Sequence, residues 1–252
     1  MSAPMKALIF DVDGTMAETE DLHRRAFNET FAANGLNWHW DVARYRALLD
    51  TTGGKERMRQ FITGFGGRPD LSDADIARLH AEKTRRYADL VAGGAVTLRP
   101  GVERLLSEAR DAGIRLAIAT TTSAPNVAAL LDRTLGPARS GWFDVIVAGD
   151  EVPAKKPAPD IFLLALRRLG LAASECIAIE DSPNGLRSAR GAGLSTVVTI
   201  SAYGGQGPFD GALAVVDHLG DLGAPCQVLS GPAAPAGIVD LAQLRLWHRG
   251  AG

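Results

Sequence analysis

Two aspartates one residue apart, Asp11 and Asp13, close the apolar run Lys6-Ala7-Leu8-Ile9-Phe10 and precede Gly14-Thr15. A short apolar run that stops at a turn signal reads as a strand buried on both faces. If extended geometry continues through Asp13, both carboxylates point to one side. Acids that close repel each other, so the pair is suited to binding a cation, sharing a proton, or both. As a plain strand-to-turn junction, the same residues would only accept backbone hydrogen bonds. Three later apolar runs also lead into polar groups: Thr120-Thr121-Thr122-Ser123, Lys155-Lys156-Pro157 and Glu180-Asp181. Each alone has an ordinary use, as a helix N-cap, a solvated loop, or a turn opening a helix. Together they offer a carboxylate nucleophile, hydroxyls and amides, a fixed ammonium, and an acid pair suited to a hard cation. That inventory fits phosphoryl transfer, in which positive charge must offset the repulsion between a carboxylate and a phosphate. Asp11 is then the nucleophile. Asp13 is the general acid and base, with a pKa raised toward neutrality, and only its backbone carbonyl is free to bind a metal.

Such groups converge only if a sheet brings strand ends to one edge. From residue 100 onward, strands at 115–120, 143–148, 176–179 and 195–200 alternate with helices at about 101–112, 125–135, 160–169 and 184–192. This alternation means right-handed βαβ units and a parallel sheet, whose ligands bind at the carboxyl ends of the strands. Residues 214–216 read as a possible edge strand, 204–237 as irregular surface chain, and 239–247 as a terminal helix packing Leu241, Leu244 and Trp247 on the core. Between the first strand and the rest, residues 18–92 read as almost wholly helical. Ser72 and Asp75 form a capping pattern at the start of a long helix there. The expected architecture is therefore α/β. A Rossmann-like parallel core with helices on both faces (1–17 and 93–252) carries an inserted all-helical cap (18–92), hinged near Ala17 and Gly93.

The totals are those of an ordinary soluble globular chain. The chain has 252 residues, 46% hydrophobic and 22% charged, with a net charge of −2. No electrostatic footprint for nucleic acid is visible, and no run approaches the ~20 apolar residues of a membrane span. Two cysteines, Cys176 and Cys226, make no disulfide framework and point to a reducing, cytoplasmic setting. A monomer is favoured.

The segments Asp11-Val12-Asp13-Gly14-Thr15, Ala119-Thr120-Thr121, Lys156-Pro157-Ala158-Pro159-Asp160 and Ile179-Glu180-Asp181-Ser182 resemble the four motifs of the haloacid dehalogenase superfamily. The resemblance implies Mg2+ held by Asp11, the Asp13 carbonyl and Asp181, with Glu180 as a neighbouring acid. It also implies that Thr120, the Thr121 amide and Lys156 hold the transferring phosphoryl group. The second acid, Asp13, speaks against the metal-free dehalogenases. Within the superfamily the Lys-Pro-Ala-Pro-Asp motif resembles the β-phosphoglucomutase-like branch. Glu18-Thr19-Glu20-Asp21-Leu22-His23-Arg24-Arg25-Ala26-Phe27-Asn28 and Thr51-Thr52-Gly53-Gly54-Lys55-Glu56-Arg57 resemble the CbbY type, which implies a sugar-bisphosphate phosphatase acting on xylulose 1,5-bisphosphate.

The cap residues fit a substrate with a second phosphate. Gly53 and Gly54 let backbone amides approach an anion, and Lys55 and Arg57 add charge. Lys83, with His80 about one turn away, reaches the same space. Glu18 and His23 are expected to face the cleft, and Thr122 and Asn126 complete the substrate-binding set. A β-phosphoglucomutase-like mutase, or a phosphatase for another small phosphate ester, shares the same chemistry. A nucleotide-binding module is disfavoured, because neither a Gly-x-Gly-x-x-Gly nor a Gly-x-x-x-x-Gly-Lys-Ser/Thr motif is present.

Overall fold

The strand that ends at Asp11, β1 (Ala7–Phe10), lies inside a seven-stranded sheet in the computed structural model, which describes residues 3–66, 70–94, 96–204 and 207–250. Four helices follow it directly: α1 (Glu20–Ala33), α2 (Val42–Leu48), α3 (Gly54–Phe65) and α4 (Asp73–Ala92). Then come α5 (Val102–Asp111), β2 (Arg115–Ala119), α6 (Ala124–Thr134), the short α7 (Pro137–Ser140) and β3 (Val145–Val147). The chain continues through α8 (Asp160–Leu169), β4 (Cys176–Glu180), α9 (Pro183–Gly191) and β5 (Ser195–Thr199). It closes with β6 (Ala214–Val216), β7 (Val228–Ser230) and α10 (Leu241–Gly250).

The strand order is β3-β2-β1-β4-β5-β6-β7, and the first six strands are parallel. The order reverses at β1, so the crevice beyond its carboxyl end is a topological switch point, where such sheets bind ligands. Phe10 is level with Ile118 on one side and Ile179 on the other. Asp11, Thr120 and Glu180 therefore leave the sheet at nearly the same height. The period-two pattern of a strand buried on both faces is visible in β1. Leu8 and Phe10 join the core cluster beneath α5 and α6, and Ala7 and Ile9 join the one beneath α8.

The helical block has a core of its own, built on Phe27, Phe31, Trp38, Trp40, Tyr45, Met58 and Phe61. Ser72 and Asp75 form a reciprocal capping box at the start of α4. The two linkers that join this block to the sheet are paired: Ala17 bridges Leu98, and the Arg99 amide donates to the Met16 carbonyl at 2.8 Å. Arg99 is buried beside them. Its guanidinium donates to the carbonyls of Gly14, Thr199, Ile200 and Asp217, which belong to the turn after β1 and the ends of β5 and β6.

The tail departs from the expected irregular chain over 204–237, two residues of which lie outside those described. β7 pairs antiparallel with β6, so β6 is not the edge strand. Unlike the apolar Ala214-Val215-Val216 of β6, β7 is part-buried to exposed and has no apolar run to mark it. Leu241, Leu244 and Trp247 of α10 pack into the main core as expected. Among the described residues, no helix is long and apolar enough to cross a membrane.

Candidate active site

β1 delivers Asp11 to the sheet edge, where its amide still donates to the Ile179 carbonyl at 3.0 Å. The backbone then turns at Gly14, whose φ of 84° is open to glycine. A Cβ at Gly14 would lie 2.1 Å from Asp181 Oδ2, so the turn can pass the Asp181 carboxylate only because residue 14 has no side chain. Lys156 Nζ donates to Asp11 Oδ1 at 2.6 Å, to Glu180 Oε1 at 2.5 Å and to the Ala119 carbonyl at 2.9 Å. All three side chains are buried. Burial alone would lower the Lys156 pKa, but Asp11 and Glu180 outweigh it and raise the value, so the ammonium is fixed.

Asp11, Glu180 and Asp181 bring carboxylate oxygens within 4.8 Å of one another. Burial, reinforced by Glu180 and Asp13 against the pull of Lys156, lifts the Asp11 pKa to about 7. Burial and the charges of Asp11 and Glu180 push Asp181 well above the carboxylate range. Three buried acids facing one lysine leave negative charge that a divalent cation would balance, so the residues fit a hard cation. Glu180 is already engaged: Oε1 accepts from Lys156 and Oε2 from the Asp181 amide at 3.2 Å. Asp11 accepts from Lys156 at Oδ1 and, at 3.4 Å, from Thr15 Oγ1 at Oδ2, while Asp181 accepts from Ser201 Oγ at Oδ2.

Asp13 turns its carboxylate toward the helical block. Thr19 Oγ1 donates to Oδ1 at 2.5 Å, and His23 Nε2 lies 2.9 Å from the same oxygen. Lys83 Nζ sits 2.6 Å from His23 Nδ1, and the imidazole stacks on Tyr87 at 4.0 Å. With the lysine donating to Nδ1, His23 carries its proton on Nε2 and gives it to Asp13. This chain corrects one expectation. Burial would raise Asp13, but His23, Thr19 and Lys83 outweigh it and hold the pKa at about 2. The resting side chain is a carboxylate. Lys83 is itself lowered to about 7, by burial and by Arg57.

These groups line a cavity of about 820 Å3 between the sheet edge and the helical block, within the usual range for ligand sites. Asp11, Asp13, His23, Gly53, Gly54, Arg57, His80, Lys83, Thr120, Thr121, Thr122, Asn126, Lys156 and Asp181 are all on its wall. Asn126 Nδ2 donates to Thr122 Oγ1 at 3.1 Å, while its buried Oδ1 has no hydrogen-bond partner. Arg57 is anchored inside the block by Tyr45 OH at 2.9 Å and the Leu48 carbonyl at 3.3 Å.

Three expected residues are not on the wall: Lys55, Glu18, and Glu180, which is buried against Lys156. Lys55 pairs with Asp150 at 3.4 Å. It and Arg57 lie two positions apart on α3, about 200° around the helix, so they cannot both face the cavity. Glu18 is exposed and pairs with Arg99 at 3.3 Å, turned toward the linkers. Sequence reasoning assigned no site role to Thr19, Glu20, Arg46, Lys155, Arg187 or Ser201. Of these, Thr19, Glu20 and Lys155 lie inside the segments singled out in the sequence, and Thr19 also lies one helical turn before His23.

The haloacid dehalogenase-like hydrolase family matches residues 5–193. The chain belongs to that family. Among its relatives, the plasmid CbbY protein of Cupriavidus necator is 49% identical over 249 residues, 98% of each chain. CbbY of Rhodobacter capsulatus is 57% identical over 199 residues, 79% of this chain and 87% of that one. A solved structure of a CbbY mutant from Rhodobacter sphaeroides in complex with xylulose 1,5-bisphosphate has a TM-score of 0.82 at 52% identity, covering 87% of this chain and 98% of that one. A β-phosphoglucomutase structure from Clostridium difficile, 21% identical with a TM-score of 0.75 over 98% of both chains, shares the fold. As a haloacid dehalogenase-like hydrolase with CbbY relatives, the protein is a phosphoric monoester hydrolase.

Proposed function

We propose that the protein is a Mg2+-dependent sugar-bisphosphate phosphatase that removes one phosphate of xylulose 1,5-bisphosphate through an Asp11-phosphate intermediate. The observation that carries this reading is the distribution of charge around the cavity. One part holds Asp11, Lys156 and Thr120. Elsewhere on the wall stand Arg46 and Arg57 from the helical block and Arg187 from α9, for which no ion pair with a carboxylate is seen among the described residues. Arginines whose hydrogen bonds go to neutral groups, with no carboxylate to offset their charge, suit a second phosphate. The CbbY relative bound to xylulose 1,5-bisphosphate supports the choice of sugar.

Asp11, Asp181 and the Asp13 carbonyl would hold the cation. When bound, it supplies the positive charge that lets a phosphate approach the Asp11 carboxylate. Asp11 attacks phosphorus as the bond to the sugar oxygen breaks. Asp13 takes up a proton from solvent as the substrate binds, because the phosphate's negative charge raises the pKa of a nearby carboxylate, and gives that proton to the leaving oxygen. Lys156 and the Thr120 hydroxyl hold the equatorial oxygens as charge shifts. Water then attacks the phosphorus and gives a proton to the Asp13 carboxylate as the bond to Asp11 breaks and inorganic phosphate is released. Once the phosphate has left, the Thr19 and His23 hydrogen bonds favour the carboxylate again and Asp13 loses its proton to solvent. The helical block serves as a cap that shuts solvent out during the first transfer.

Phosphate release from xylulose 1,5-bisphosphate with Mg2+ is the test, run beside β-glucose 1-phosphate. Isomerisation of the second compound without phosphate release from the first would replace this reading with a mutase.

A further inference from the structure

We propose that the segment Ser201–Tyr203 is a strap through which the position of the cap sets the orientation of the Asp181 carboxylate, so that cation binding and cap closure favour each other. This rests on the reading of Asp181 as a metal ligand. The segment leaves the end of β5 and lies against the cavity. Its first residue is tied to the core: Ser201 Oγ, buried, donates to Asp181 Oδ2 at 2.6 Å. The Gly204 amide in turn donates to Ser201 Oγ at 2.6 Å, which leaves the hydroxyl proton aimed at the carboxylate.

The next two residues are tied to the cap. The Ala202 amide donates to Glu18 at 3.2 Å, and its carbonyl accepts from Arg46 at 3.1 Å. Tyr203 OH donates to Asp21 at 2.9 Å, and its ring meets Tyr45 edge-on at 5.9 Å. Three residues span at most about 10 Å, too little slack for residue 203 to follow a moving cap while residue 201 stays in place. An opening cap therefore either breaks these contacts or draws Ser201 from Asp181. By linkage, a cation that fixes Asp181 must favour the closed cap to the same degree. Ser201 and Tyr203 are positioning residues, since each acts through Asp181 or the cap rather than on the reacting atoms.

The test is calorimetric titration of Mn2+ into the substrate-free protein, with X-ray scattering recorded before and after. Tyr203→Ala touches no metal ligand. It is expected to weaken Mn2+ binding by about fivefold or more, the lower range of such couplings, and to abolish the compaction that Mn2+ causes in the unaltered protein. Tyr203→Phe, which keeps the ring, should recover part of the affinity. Ser201→Ala should weaken binding at least as much, and adding Tyr203→Ala to it should cost nothing further. Mn2+ affinity in Tyr203→Ala equal to that of the unaltered protein overturns the strap, whatever Ser201→Ala does. If the unaltered protein takes up no Mn2+, the metal reading itself fails and the strap with it.

Discussion

Replacing Asp11 by Asn removes the attacking oxygen but keeps an amide that can still accept from Lys156. Phosphate release should fall by ~10^4-fold or more, as when a covalent nucleophile is lost, while circular dichroism and Tm show a folded protein. Hydrolysis at the original rate would exclude Asp11 as the nucleophile. His80 gives a pH signature free of the reacting groups. Burial, with the charges of Lys83, Lys55 and Lys155, lowers its pKa from 6.5 to about 3. The unfolded chain therefore binds a proton there that the folded one refuses, so stability rises with pH across that window and is lost as pH falls through it. Denaturation midpoints of His80→Gln, measured between pH 4 and 7, should fall less steeply with acid than those of the unaltered protein. At this scale the sequence was readable where several polar groups ended successive strands, so that the convergence of Asp11, Lys156 and Asp181 could be expected although each alone has an ordinary use. It was opaque for Ser201, whose hydroxyl could serve many local hydrogen bonds, and for Lys55, whose direction depends on the phase of α3.

Arg99 belongs to the scale of elements, because it joins the turn after β1 to the ends of β5 and β6 beside both cap linkers. Arg99→Ala would leave several buried carbonyls without donors. It should cost ~3 kcal/mol or more, read as a lower denaturation midpoint at unchanged slope. Arg99→Lys should restore only part, since one ammonium cannot reproduce the planar fork. Long elements with a clear period were legible: the alternation of 115–200, the capping box of α4, the apolar face of α10. The four-residue α7 and three-residue β7 were not, because each spans little more than one repeat of its pattern and β7 buries none of its residues deeply.

The cavity exists only at the scale of the whole molecule, and no local pattern encodes it. Asn184 of α9 reaches across to the Asp50 carbonyl at 3.1 Å and Thr52 Oγ1 at 3.2 Å, joining residues far apart in sequence. A cationic wall in a chain of net charge −2 focuses attraction on one mouth. Arg46→Ala should raise KM for the bisphosphate by ~10-fold, about the value of one exposed charge-assisted contact, with little change for a small monophosphate. Equal losses on both would remove Arg46 from the distal site. The central place of β1 also bears on how the chain is made. Its partners begin at Arg115 and Cys176, so the first strand to leave the ribosome is enclosed only after the fourth has emerged. At ~5–20 residues per second that delay is on the order of ten seconds or more. Until β4 emerges, the apolar segment carrying the nucleophile has at most β2 beside it, so its second edge stays open while most of the chain is made.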